Sequence, residues 1–127
     1  MTDLIEVQTS DLEGAALDWA VAQVEALPAL IYKSDPPYVY IDLPGRGCGP
    51  YFPSHAWFEG GPLIQKYGSD LNCIAPLNAW EANCWDDKLP TPGLHLQEGE
   101  TPLIAVCRAI VAAKLGDTVQ VPKELTQ

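Results

Sequence analysis

Between Thr101 and Gly116 the chain reads TPLIAVCRAIVAAKLG, and this stretch limits the possible folds more than any other. Thr101 has the side chain of a helix N-cap, and Pro102 suits the first helical position, where no amide hydrogen is needed. Leu103 to Leu115 follows without a breaker, and Gly116 is expected to close the helix as a left-handed cap. The segment carries Leu103, Ile104, Val106, Cys107, Ile110, Val111 and Leu115, and its only charges are Arg108 and Lys114. A helix this apolar must be covered on most sides. Its alanines at 105, 109, 112 and 113 let a neighbouring backbone come close.

The rest of the chain has to supply that cover. Leu4–Val7 is a short stretch able to form a strand, and Val119–Val121 is another, so the two ends are expected to pair. Ser10 followed by Glu13 fits a capping box, with Asp11 favouring the helix dipole. The expected helix runs from Asp11 to Ala26 and stops before Pro28. On it Ala16, Leu17, Ala20, Val21, Val24 and Leu27 share a face, while Asp18 and Glu25 project away from it. Trp19 stands off the centre of that stripe, either packed under a loop or marking a partner surface.

Leu30-Ile31-Tyr32 and Tyr38-Val39-Tyr40-Ile41 flank Ser34-Asp35-Pro36-Pro37, which reads as a hairpin. Gly45-Arg46-Gly47-Cys48-Gly49-Pro50 has glycines at alternate positions, no helix directly after it, and a proline without an amide; it reads as a connector rather than a phosphate cradle. Ser54 is expected to cap one turn holding His55, Ala56, Trp57 and Phe58. Gly60-Gly61 would break it, and Pro62 would start a second short helix to Tyr67, ended by Gly68. Strands are expected around Leu71–Ala75 and Ala79–Trp85, with Trp80, Ala82 and Cys84 alternating against Ala79, Glu81 and Asn83. Leu89–Gly99 reads as a loop.

Charge and cysteines narrow the function. With 7 basic and 17 acidic residues in 127, the formal charge is −10, which repels phosphate; no direct binding of nucleic acid or anionic lipid is expected. The acids are dispersed, as on a solvated surface or on a face that docks to a basic partner. No apolar run approaches a membrane span, and the opening MTDLIEVQ lacks a secretion signal, so a cytoplasmic protein is expected. Cys48, Cys73, Cys84 and Cys107 form no metal clip with one another or with His55 and His95, so reduced thiols and neither metal nor cofactor are expected. Length fits a single domain over residues 1–127.

No constellation of residues stands out as catalytic. Ser54 and His55 are neighbours, a poor arrangement for a nucleophile and its base. Asp86-Asp87 lacks a third ligand in register. Trp57, Trp80, Trp85 and the five tyrosines could line a concave ligand pocket, or the four tryptophans simply fill a core with only two phenylalanines. The candidate surface or pocket residues are Trp19, Trp57, His55, Glu59, Trp80 and Trp85.

Three segments, Leu12–Ala22, Tyr51–Gly68 and Pro102–Pro122, resemble the blocks of the NinX-like family of temperate phages, and the last also resembles phage proteins described as an alpha-beta-alpha sandwich domain. The most specific matches are Leu17-Asp18-Trp19-Ala20-Val21-Ala22, Gly60-Gly61-Pro62-Leu63-Ile64, and Leu115-Gly116-Asp117 with Val121-Pro122. Tyr51-Phe52-Pro53-Ser54 replaces the usual tyrosine-serine-proline-serine, and His55-Ala56-Trp57 stands where an aspartate-tryptophan pair is usual. The resemblance implies an accessory phage or prophage protein in a bacterial host cell, and carries no mechanism with it. The expected fold is α+β: a small, mostly antiparallel sheet with the first and last helices packed on it and a short middle helix. The expected function is a non-enzymatic acidic factor that binds a host or phage protein, with self-association an open possibility. The alternative is a small ligand-binding domain or enzyme using the His55, Glu59 and Trp57 region.

Overall fold

A computed structural model describes residues 3–43, 47–74, 77–86 and 93–126. The fold is α+β, with three helices and eight strands among these residues. The order is β1 (Leu4–Gln8), α1 (Gly14–Val24), β2 (Ala29–Tyr32), β3 (Tyr38–Leu43), β4 (Gly47–Pro50), α2 (Trp57–Tyr67), β5 (Asn72–Ile74), β6 (Ala79–Asp86), β7 (Gly93–Gly99), α3 (Pro102–Leu115) and β8 (Thr118–Pro122). The β layer is divided among three small antiparallel sheets, β1-β8, β2-β3-β4 and β5-β6-β7. The two ends of the chain do pair, with Ile5 opposite Val121 and Val7 opposite Val119.

α3 is the hub. Leu103, Ala105, Val106, Cys107, Ala109, Ile110, Val111, Ala112 and Ala113 are all buried. One flank lies on β6 and β7, and others meet α1 and α2. The alanines act as spacers: a Cβ on Gly99 of β7 would fall 2.6 Å from the Ala105 amide, so strand and helix backbones are nearly in contact. Arg108 puts its charge to structural use. Its Nε donates to the Leu12 carbonyl at 2.7 Å and its Nη1 to the Glu98 carbonyl at 2.8 Å, which ties the entry of α1 to β7. Thr101 caps the helix by accepting from the Ile104 amide at 3.2 Å. Gly116 has a positive φ of 103° with an extended ψ of −173°, so it turns the chain into β8 and is not the left-handed helical cap that the sequence implies.

Several expectations are corrected. α1 begins at Gly14, capped by no side chain, instead of at Asp11. Residues Thr9–Asp11 are wound into a 3-10 turn because Thr9 is engaged elsewhere. Its hydroxyl donates to the Gly116 carbonyl at 2.7 Å and its amide to the Asp117 carbonyl at 2.8 Å. Closure of the chain ends thus overrides the local capping box. Gly60-Gly61 does not break the middle segment, and α2 runs unbroken from Trp57 to Tyr67 with Pro62 inside it. The reason is space: a Cβ on Gly60 would lie 2.2 Å from the Pro53 carbonyl oxygen, so the glycine admits a turn against the helix. Ser54 therefore caps no helix; Ala56 takes the N-cap position. Gly68, with φ 65°, ends α2 as expected.

Gly47–Pro50 is a strand, not a connector, because Asp42 and Ile41 of β3 offer it an open edge opposite Cys48 and Gly49. Gly93–Gly99 is likewise a strand, paired along the whole of β6 from Trp80 opposite Gly99 to Asp86 opposite Gly93. Gly45, Arg46, Asp87 and residues 89–92 lie outside the described residues, as does the side chain of Asp86.

Candidate interaction surface

The β2-β3 hairpin has two apolar faces. Ile31 and Val39 alternate inward with Ala29 and Ile41, which pack into the core. Strand periodicity then turns Leu30, Tyr32, Tyr38 and Tyr40 to the other face. Leu30 is opposite Tyr40 and Tyr32 opposite Tyr38. Leu30 and Tyr32 remain 45% and 53% exposed while Tyr38 and Tyr40 are half-buried, so the face is partly open among the described residues.

The rings form a continuous strip. Tyr40 meets Tyr32 edge-on at 6.2 Å, Tyr32 stacks on Tyr38 at 4.9 Å, and Tyr38 lies tilted 5.7 Å from Phe52. Phe52 in turn stacks on the exposed ring of His55 at 4.8 Å. Such offset and edge contacts suit the ring quadrupoles and hold the side chains in a fixed relief.

The turn carrying Phe52 and His55 is fastened by all three helices. Tyr51 donates its amide to the Val39 carbonyl at 2.9 Å, aligning the turn with the sheet. The Phe52 amide donates to Oε1 of Glu59 in α2 at 2.8 Å. The Ser54 amide donates to Oδ1 of Asp18 in α1 at 2.9 Å. The Cys107 thiol of α3 donates to the Pro53 carbonyl at 3.4 Å. Asp18 is 1% exposed, contrary to the expectation that it projects away from the buried face of α1. Burial pushes its carboxyl up from 3.8 to about 7, against the pull of the Ser54 hydrogen bonds, and nearby Glu59 adds to the rise. Burial likewise raises the Cys107 thiol, with Asp18 adding to the effect, which makes it an inert core group.

The residues singled out from sequence are dispersed. His55, Trp57 and Glu59 share the turn and the start of α2, with Trp57 55% exposed and Glu59 committed to the Phe52 amide. Trp19 is partly buried against the core. Trp80 also packs on the core, while Trp85, an odd number of residues along β6, is half-exposed on the opposite face. Sequence reasoning missed Phe58, 82% exposed at the second position of α2, and buried Asp18, and it named the five tyrosines as pocket lining without assigning them a shared face. Alternation in the hairpin was the available signal for the strip.

Ser54, His55 and Asp18 do not make a hydrolytic triad. Ser54 stands between the other two, its amide on Asp18 and its hydroxyl 3.5 Å from His55 Nδ1. A relay needs the imidazole in the middle, with the hydroxyl open to substrate, and Ser54 is 2% exposed.

Two clefts flank the framework. One of about 610 Å³ lies between the start of α1 and the Pro36-Pro37 turn, walled by Leu12, Ala16, Ile104 and Leu125. Another of about 350 Å³ lies beside α2, between Tyr51, Phe58, Glu59 and Lys66. At its rim Glu25 accepts from both Lys66 and the Tyr67 hydroxyl at 2.5 Å. Among the described residues no group of three or more metal-ligating side chains comes together. No described helix is long and apolar enough to cross a membrane.

The sequence matches the family described as Bacteriophage P22, NinX over residues 8–114. The chain belongs to the phage NinX family. The match takes in α1, α2, α3 up to Lys114 and the turn they fasten, so the framework beneath the aromatic strip falls within the family region. Membership marks the NinX-family chain as a phage-type accessory protein. No curated protein matches it.

Proposed function

We propose that this NinX-family chain is a non-enzymatic, acidic interaction factor that works in the cytoplasm of a bacterial host and binds a phage or host protein. The observation that carries this reading is the contiguous aromatic strip Tyr40–Tyr32–Tyr38–Phe52–His55, in which Tyr32 and His55 are exposed and the other three rings half-buried, beside a sheet face whose reverse is core. Exposed, contiguous aromatic faces with few long flexible side chains are the composition of interface hot spots, since rigid rings lose little entropy on binding. A charge of −10 keeps such a surface from non-specific association with nucleic acid and membranes.

The alternative reading, catalysis or ligand binding by His55, Glu59 and Trp57, has less support. Glu59 is occupied by a backbone amide, and the serine beside His55 is closed off by Asp18. The test is capture from a lysate of phage-infected cells at moderate salt, with the wild type and a Tyr32→Ser/Tyr40→Ser variant in parallel. A specific protein retained by the wild type and lost by the variant is expected. Equal retention by both removes the strip from the account.

A further inference from the structure

We infer that the occupant of the aromatic strip is an extended segment of a partner protein bearing arginine or lysine at alternate positions; this rests on the interaction reading above and names its partner chemistry. Three observations converge on it. Carboxylates stand beside the strip: Asp42 lies on the same outer face of β3 as Tyr38 and Tyr40, exposed and opposite the exposed Cys48. Asp35 is exposed in the turn between Tyr32 and Tyr38. Of the described lysines and arginines, Lys33 is the one adjacent to the strip in sequence, so the local balance follows the −10 of the whole molecule.

The second observation is chemical. A ring quadrupole attracts a cation at its face, and a neighbouring carboxylate adds an ion pair without burying an uncompensated charge. Tyrosines beside Asp42 offer both contacts to one guanidinium. The third is spacing: Tyr38, Tyr40 and Asp42 are alternate residues on the outer face of β3. Side chains on one side of an extended strand repeat every ~6.6 Å, so alternate residues of an extended segment laid along β3 fall beside successive members of that row. A polyanion is repelled by the same carboxylates, and a second copy of this chain brings another −10.

The probe is a fluorescein-labelled peptide of about eight residues alternating arginine and serine, followed by anisotropy, with a glutamate–serine peptide of equal length for comparison. The wild type is expected to bind the basic peptide and not the acidic one, more weakly as salt rises from about 50 to about 300 mM. Tyr32→Ser/Tyr38→Ser, shown to be folded by its thermal melt, is expected to weaken binding by about tenfold or more. Asp42→Asn is expected to weaken it severalfold, whereas Glu6→Gln, an equal change of charge on the exposed face of β1, leaves it unchanged.

Equal weakening by Asp42→Asn and Glu6→Gln, or indifference to the tyrosine variant, overturns the inference in favour of diffuse attraction to an acidic protein. Failure of the basic peptide to bind, while lysate capture still depends on the strip, overturns the basic segment alone and leaves the interaction reading standing. Failure of both overturns the surface itself.

Discussion

Asp18 sits at the point where three separate stretches of chain meet, and its protonation is tied to folding. In the unfolded chain its carboxyl titrates near 3.8, in the folded chain near 7. Below about pH 4 both states hold the proton and stability is at its fullest from this source. Between 3.8 and about 7 the folded chain keeps a proton that the unfolded chain has released, so stability falls as pH rises through that window. Above about 7 the loss is complete, on the order of 4 kcal/mol for a shift of about three units. Asp18→Asn keeps an oxygen for the Ser54 amide and removes the titration. Chemical denaturation is expected to give similar stabilities for wild type and Asp18→Asn below about pH 4 and a variant that is increasingly the more stable from there to pH 8. A constant difference across that range would contradict the burial of an ionisable group there. Asp18→Ala, which strands the Ser54 amide, is expected to cost about 1–3 kcal/mol at pH 5. The sequence could not have revealed this residue: the amide it satisfies is 36 positions away, and helical periodicity put the carboxylate on the wrong side of α1.

At the scale of elements, legibility depended on whether local chemistry or a distant partner set the boundary. The signals at the start of α3 were local, and helix and cap stand as read. Thr101→Ala is expected to lower stability by about 1 kcal/mol, whereas Ser10→Ala, in a capping box the fold does not use, is expected to cost less than half of that. Thermal melts of the two variants check the contrast. The start of α1, β4 and β7 were misread because each is fixed by residues remote in sequence: Gly116 and Asp117 for the 3-10 turn, Asp42 for β4, and the length of β6 for β7. The Gly60-Gly61 pair reads as a breaker in sequence and acts as a clearance in the fold. Gly60→Ala, with its Cβ 2.2 Å from the Pro53 carbonyl oxygen, is expected to destabilise by roughly 2–3 kcal/mol or more. Gly61→Ala meets only ordinary contact with Trp57 at 3.4 Å and gains helix propensity, so it is expected to be neutral or stabilising by up to about 1 kcal/mol. Equal effects of the two would contradict the close packing of α2 on the turn.

For the molecule as a whole, the parts that fasten one another, α1, the Tyr51–Ser54 turn with α2, and α3, fall in the family region. The α+β class and the placement of helices were legible because apolar helices demand cover. Division of the β layer into three sheets was not, since pairing is decided by long-range register. The candidate surface was legible only in part. Tryptophan count drew attention to Trp57, Trp80 and Trp85, which lie apart, while the tyrosines that do adjoin were visible in the sequence as strand residues whose outward face was not assigned. The most direct test of the central claim is photo-crosslinking in phage-infected cells, with a benzophenone amino acid placed at Tyr40, at Trp57 or at Trp85 in three otherwise identical chains. A discrete cross-linked protein is expected from position 40 and none from position 85. A cross-link from Trp57 or Trp85 in the absence of one from Tyr40 would contradict it.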